Sequence, residues 1–165
     1  MQNRGSIYYV TALLLLVGLS ACDLNAPTFP QLATQQANAD KVNVTSIDYE
    51  VRKWTSSEDW IYLTSKDIDL SNFRNADSVT FATSLRCQQE YALGIAQLYN
   101  FDEDRAITNS QVESNVRAYF KYVESQDILQ FLPQDKAEIG IRIRSSQEGV
   151  PIEIAYETAI KIYTH

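Results

Sequence analysis

Apolar and polar positions alternate most regularly towards the C-terminus. Ile139, Ile141 and Ile143 alternate with Gly140, Arg142 and Arg144, and after SSQEG a second run from Ile152 to Ile162 alternates with Glu153, Ala155, Glu157 and Lys161. A two-residue period is that of a strand with one buried face. Placing Ile141 opposite Ile154 puts Arg142 opposite Glu153, so a hairpin with one apolar face and one face of paired charges is expected. Its second strand is the longer, and the far half is expected to pair elsewhere, with 42–54 as the candidate. That segment, VNVTSIDYEVRKW, is rich in β-branched and aromatic residues and reads as a strand. DWIYLTS (59–65) reads as another, with Thr55-Ser56-Ser57-Glu58 as the turn of a first hairpin.

Between these regions the period changes. Val79, Phe81, Thr83 and Leu85 alternate, whereas Leu85, Ala92, Ala96 and Tyr99 fit one face of a helix over 84–99. Ser110 and Glu113 have capping-box spacing, and Val112, Val116, Tyr119, Phe120 and Val123 follow at helical intervals. An amphipathic helix of roughly 15 residues is expected there. The fold class is therefore α+β: an antiparallel sheet of four or five strands with two helices on one face. An all-β sandwich is the alternative, since 79–98 and 115–124 also read as strands.

The first residues form a separate pattern. MQNRGS is polar and weakly positive, and IYYVTALLLLVGL (7–19) is almost wholly apolar. As a helix it would span only about 20 Å, short of a bilayer core of roughly 30 Å, which is the arrangement of a signal peptide. Leu19-Ser20-Ala21-Cys22 then resembles the bacterial lipobox: an aliphatic residue, two small residues and a cysteine. The resemblance implies a diacylglyceryl group on the Cys22 thiol and cleavage before Cys22. Residues 1–21 are read as a lipoprotein signal peptide, 22–41 as the acylated cysteine and a flexible tether, and 42–165 as one globular domain. Two or three acyl chains anchor stably, at about 0.8 kcal/mol per buried CH₂. The resemblance places the chain on a bacterial cell membrane or outer membrane, its domain facing the periplasm; Asp23 is similar to an inner-membrane retention signal.

After residue 21 the chain carries 13 basic and 21 acidic groups, a formal charge of −8. That balance disfavours nucleic acid and anionic lipid faces as charge-driven partners. The single histidine, His165, is the terminal residue, which removes the usual Ser-His and Cys-His schemes. Asp67-Ile68-Asp69-Leu70-Ser71-Asn72 has alternating oxygen ligands but neither the glycine nor the distal glutamate of a calcium loop, and reads as a solvated loop. With so many acidic residues, a carboxylate pair by itself selects no site. Catalytic residues, cofactors and metals are accordingly expected to be none. Trp54, Trp60 and Tyr62 near the first hairpin, with Arg142 and Arg144 on the outer face of the last one, form the candidate partner surface. The function expected is a non-enzymatic accessory, adaptor or assembly factor of the envelope, working through protein contacts. The alternatives are an immunity protein or inhibitor masking a toxin or enzyme, and a carboxylate-based cell-wall or glycan hydrolase.

Overall fold

A computed structural model describes residues 42–165, which fold almost wholly into strands. The leader, lipidation and tether expected at 1–41 lie outside the described residues. In chain order the strands are β1 (Asn43–Tyr49), β2 (Lys53–Thr55), β3 (Ile61–Asp69), β4 (Ser78–Cys87), β5 (Gly94–Asn100) and β6 (Arg105–Ala106). They continue as β7 (Val112–Ser114), β8 (Lys121–Glu124), β9 (Lys136–Ser145), β10 (Ile152–Ile154) and β11 (Thr158–Thr164). Short 3₁₀ turns at Leu70–Phe73 and Leu129–Phe131 are the helical segments among the described residues.

All the pairings are antiparallel. Several strands are halves of one interrupted row. β1 runs against β11 from Asn43↔Thr164 to Tyr49↔Thr158, and β2 continues the same row against β10, with Trp54 opposite Glu153. β10 and β11 both pair with β4, and β6 and β7 both pair with β5. Counting each interrupted pair once gives eight rows. The first sheet holds rows one, eight, three and six, and the second holds rows two, seven, four and five. Two four-row sheets in this order have jelly-roll topology.

The inward faces share one apolar core. Phe81, Leu85, Ile152, Ile154 and Ile160 come from the first sheet, and Leu98, Ile139, Ile141 and Ile143 from the second; none is more than 1% exposed. The sheets approach closely at Gly94, where an added Cβ would lie 3.3 Å from the Ile152 side chain. Tyr49, Thr83 and Thr158 carry hydroxyls into the core, and each is bonded, as most buried polar groups are. The Tyr49 hydroxyl donates to the Ile139 carbonyl at 3.0 Å, and burial raises its pKa. Thr83 meets the Thr158 hydroxyl at 2.7 Å, and Thr158 donates in turn to the Ala155 carbonyl.

The fold is therefore all-β, which overturns the α+β reading with its two helices. Residues 84–99 are the end of β4, a turn and β5. β5 is buried on both faces, so its apolar positions lose the two-residue period and imitate a helical stripe. Residues 110–124 hold β7 and β8. Ser110 is fully buried and staples a turn instead of capping a helix, accepting from Leu98 N at 3.1 Å and donating to Ile107 O at 2.7 Å. The last hairpin is also corrected: β9 lies in the second sheet and β10 in the first, so Glu153 faces Arg86 and Trp54, not Arg142. The first hairpin fails in the same way, because β1 and β2 belong to one sheet and β3 to the other. The pairing of 42–54 with the far half of the C-terminal segment is what the register shows.

Ile141→Ala, at the centre of this core, is expected to lower unfolding free energy by about 2–5 kcal/mol. Thr45→Ala on the exposed β1 should stay within about 0.5 kcal/mol of the parent. Urea unfolding followed by tyrosine and tryptophan emission measures both.

Candidate functional site

Strand geometry sends Gly140, Arg142 and Arg144 of β9 outward while Ile139, Ile141 and Ile143 point into the core. In register beside them, β5 places Gln97 opposite Arg142 and Tyr99 opposite Gly140. On the other side β3 places Tyr62 opposite Arg142, and the pairing slips by one residue between Tyr62 and Thr64. Such a bulge re-aims the side chains next to it.

These residues form one connected face. The Arg142 guanidinium lies 4.2 Å from the Trp60 ring centroid and 4.6 Å from that of Tyr99, and Arg144 lies 4.8 Å from the same Trp60 ring. Arg142 Nη2 donates to Gln97 Oε1 at 2.8 Å, with Nε at 3.3 Å. Stacking on π faces contributes about 0.5–2 kcal/mol per cation, and the amide fixes the guanidinium plane. Tyr62, Tyr99 and Phe101 form an aromatic triad with centroids 5.1–5.3 Å apart. Tyr99 donates its hydroxyl to Asp104, which sits in the left-handed region at φ 50°; that bond, then Tyr62 and burial, raise the phenol pKa. Phe101 can lie flat because Gly140 lacks a side chain: a Cβ there would fall 2.4 Å from Phe101 Cε2 and 2.7 Å from the Thr64 carbonyl.

Of the five residues proposed from sequence, the structure brings together Trp60, Tyr62, Arg142 and Arg144. Trp54 stands apart, on β2 of the other sheet, 68% exposed. It lines a cavity of about 330 Å³ with Arg86, Gln88, Pro151, Ile152 and Glu153. Glu153 accepts from Arg52 at 3.0 Å and from Arg86. Burial pushes its pKa up, but the hydrogen bonds and charges of the two arginines outweigh this and hold it below the usual carboxylate range. Sequence reasoning missed Gln97, Tyr99 and Phe101, because a helix was expected over most of that segment; their two-residue spacing was the available signal.

The other sequence candidates have structural occupations. Asp69 accepts from the backbone and hydroxyl of Ser71, and Asp67 pairs with Lys136 at 2.7 Å. His165 bonds Asp77 through both Nδ1 and its backbone N–H. Cys87, the one cysteine among the described residues and no candidate in the sequence analysis, is buried, its thiol donating to the Gln89 carbonyl at 3.2 Å. Among the described residues, no three side chains of the metal-ligating types cluster.

No family model matches the chain, and no curated protein matches it. Solved structures give remote likenesses. The VP2 subviral particle of infectious bursal disease virus is 14% identical over 76% of this chain, with a TM-score of 0.49. A structure of the Gt strain of that virus is 16% identical over the same share, with a TM-score of 0.44. This chain spans about a third of the length of either, 33% and 32%.

Gly140→Ala is expected to displace Phe101, loosen the aromatic triad and cost about 1–3 kcal/mol; near-ultraviolet circular dichroism and urea unfolding read the two effects. The depressed Glu153 pKa carries a sign. Its contribution is present above the ordinary carboxylate range and is lost as pH falls through the lower folded-state value. The parent protein should thus lose stability more steeply than Glu153→Gln below about pH 5, measured by unfolding across an acid series.

Proposed function

We propose that this chain is a bacterial envelope lipoprotein whose domain is a non-enzymatic protein-binding module, docking a partner on the Trp60–Arg142 face. The observation that carries the reading is the placement of Arg142 between the Trp60 and Tyr99 rings on the outer face of the second sheet. Tryptophan, tyrosine and arginine dominate the energetics of protein interfaces, because they bury large rigid surfaces around one directed polar group. Tyr62, 48% exposed, extends the patch towards the sheet edge. The anchor rests on Leu19-Ser20-Ala21-Cys22, with acyl chains on Cys22 holding the domain to a membrane.

Two observations favour an adaptor over the alternatives. An inhibitor of a basic toxin would use an acidic surface, whereas this face presents two arginines. A carboxylate-based hydrolase needs an acid with a raised pKa, yet the shifted carboxylates among the described residues, Asp69, Asp77, Glu124 and Glu153, are all lowered.

Two experiments test the reading on the full chain expressed in a bacterial host. Blocking the lipoprotein signal peptidase with globomycin should accumulate a larger precursor, and Cys22→Ser should free the domain from the membrane fraction; unchanged mobility and fractionation would refute the anchor. A benzoylphenylalanine photoprobe at position 62 should form one discrete protein adduct in intact cells, lost with Trp60→Ala. The same probe at Tyr156, 64% exposed and lying between β10 and β11 of the first sheet, should form none. Equal adducts at both positions would refute the docking face.

A further inference from the structure

The outer face of the second sheet is divided by charge, and the division constrains what can lie on it. At one end are Arg142 and Arg144. Among the described residues, neither guanidinium has a carboxylate within 4.0 Å, although acidic groups outnumber basic ones, 21 to 14, across the chain. Their neighbours are rings and one neutral amide, so their positive charge is oriented but not neutralised. At the other end, Glu138 lies opposite Asp67 across the β3–β9 ladder, and Asp102 and Asp104 follow β5. Lys136 is taken by Asp67, while Glu138 accepts from the Ser65 hydroxyl and Asp104 from Tyr99. The aromatic triad fills the middle. Arg142 and Glu138 are four residues apart on one strand, about 13 Å at 3.3 Å per residue.

We propose that this face binds an extended peptide segment of the partner whose charges are segregated. Its carboxylates lie over Arg142 and Arg144, its apolar or threonine-rich middle on the aromatic triad, and its basic residues over Glu138 and Asp104. The inference rests on the protein-binding reading above and specifies the partner's chemistry. Arginine suits the acidic end because its planar fork meets a carboxylate bidentately, and stacking on Trp60 removes part of the cost of ordering it. A uniformly anionic partner is disfavoured. A nucleic acid strand or anionic lipid surface wide enough to cover the arginines also places phosphates over Glu138 and Asp104, and meets the negative charge of the whole domain.

The test uses the Trp54→Phe variant, in which Trp60 is the sole tryptophan. Its emission is followed on titration with acetyl-Glu-Glu-Thr-Val-Thr-Lys-Lys-amide and with the same peptide in reversed order, since a segment can run either way along β9. At least one should perturb Trp60 saturably, and added salt should weaken it. The double variant Arg142→Gln/Arg144→Gln should weaken that peptide at least tenfold, and Glu138→Gln several-fold. Arg144→Lys, which keeps the charge, guards against a merely misfolded double variant and should lose less. The proposal is overturned if neither block-charged peptide binds, if a glutamine-for-glutamate peptide binds equally, or if an all-glutamate peptide binds as tightly. Tighter binding of inorganic phosphate or of phosphatidylglycerol vesicles overturns it too. Should it fail while the photoprobe at position 62 still captures a protein, the docking face stands and only the assigned ligand chemistry falls.

Discussion

The alternation along β9 is the constraint on which both the core and the candidate site depend. Its inward isoleucines, Ile139, Ile141 and Ile143, meet Phe81, Leu85, Ile152 and Ile160 of the opposite sheet in the shared apolar layer. The outward residues between them are Gly140, Arg142 and Arg144. Because the side-chain period is two, a slip of one residue would drive the guanidiniums into the core and expose the isoleucines. Burying unpaired charges costs far more than any local rearrangement recovers. Core packing therefore fixes the orientation of the arginines as firmly as their own contacts do, and the site inherits the rigidity of the sheet.

The neighbouring strands refine what β9 sets. β5 is buried on both faces, inward against the core and outward beneath the face itself, where Ile95 and Tyr99 are 4% and 7% exposed. The outer face of this sheet thus has a second, smaller packed layer above the core. Gly140 makes room for its Phe101, and the edge strand carries a bulge directly after Tyr62. The first sheet uses its outer face differently. Glu124 accepts from Thr80, Tyr122 and Tyr163, while Lys161 donates to Tyr122 at 2.6 Å. That network closes on itself, and hydrogen bonds outweigh burial to keep the Glu124 carboxyl below its ordinary pKa. A satisfied network stabilises; the arginines on the opposite sheet are instead held by rings and an amide.

Legibility in the sequence followed burial asymmetry. Strands with one buried face, such as β9, were readable from their alternation, and 42–54 was readable from its β-branched and aromatic residues, as was its pairing with the far half of the C-terminal segment. Strands covered on both sides were not, and β5 imitated a helix for that reason. The capping-box spacing of Ser110 and Glu113 failed because a serine hydroxyl satisfies any turn with free backbone groups, and here it serves the turn at Asn109, whose φ is 63°. Partner strands were harder still. Ile141 opposite Ile154 gave good charge complementarity, but alternation records which face is buried and not which strand lies alongside. In a jelly roll, neighbours in sequence repeatedly cross to the other sheet, so the hairpin assumption failed at both ends of the chain.

That limit bears on the candidate site in an instructive way. Trp60, Tyr62, Arg142 and Arg144 were grouped on the strength of two hairpins that do not exist, yet they meet. They meet because β3 and β9, some seventy residues apart in sequence, are direct neighbours with Tyr62 opposite Arg142. Trp54, grouped by the same reasoning, lies in the other sheet because the chain crosses over between Thr55 and Ile61. The Arg142 expected to pair with Glu153 is instead half-buried among rings and the Gln97 amide, since Glu153 is occupied by Arg52 and Arg86 on the far sheet. The topology that broke the expected hairpin thereby separates the two ends of its expected ion pair. It replaces what the sequence presented as a structural charge pair with a guanidinium held by rings and an amide and, among the described residues, by no carboxylate.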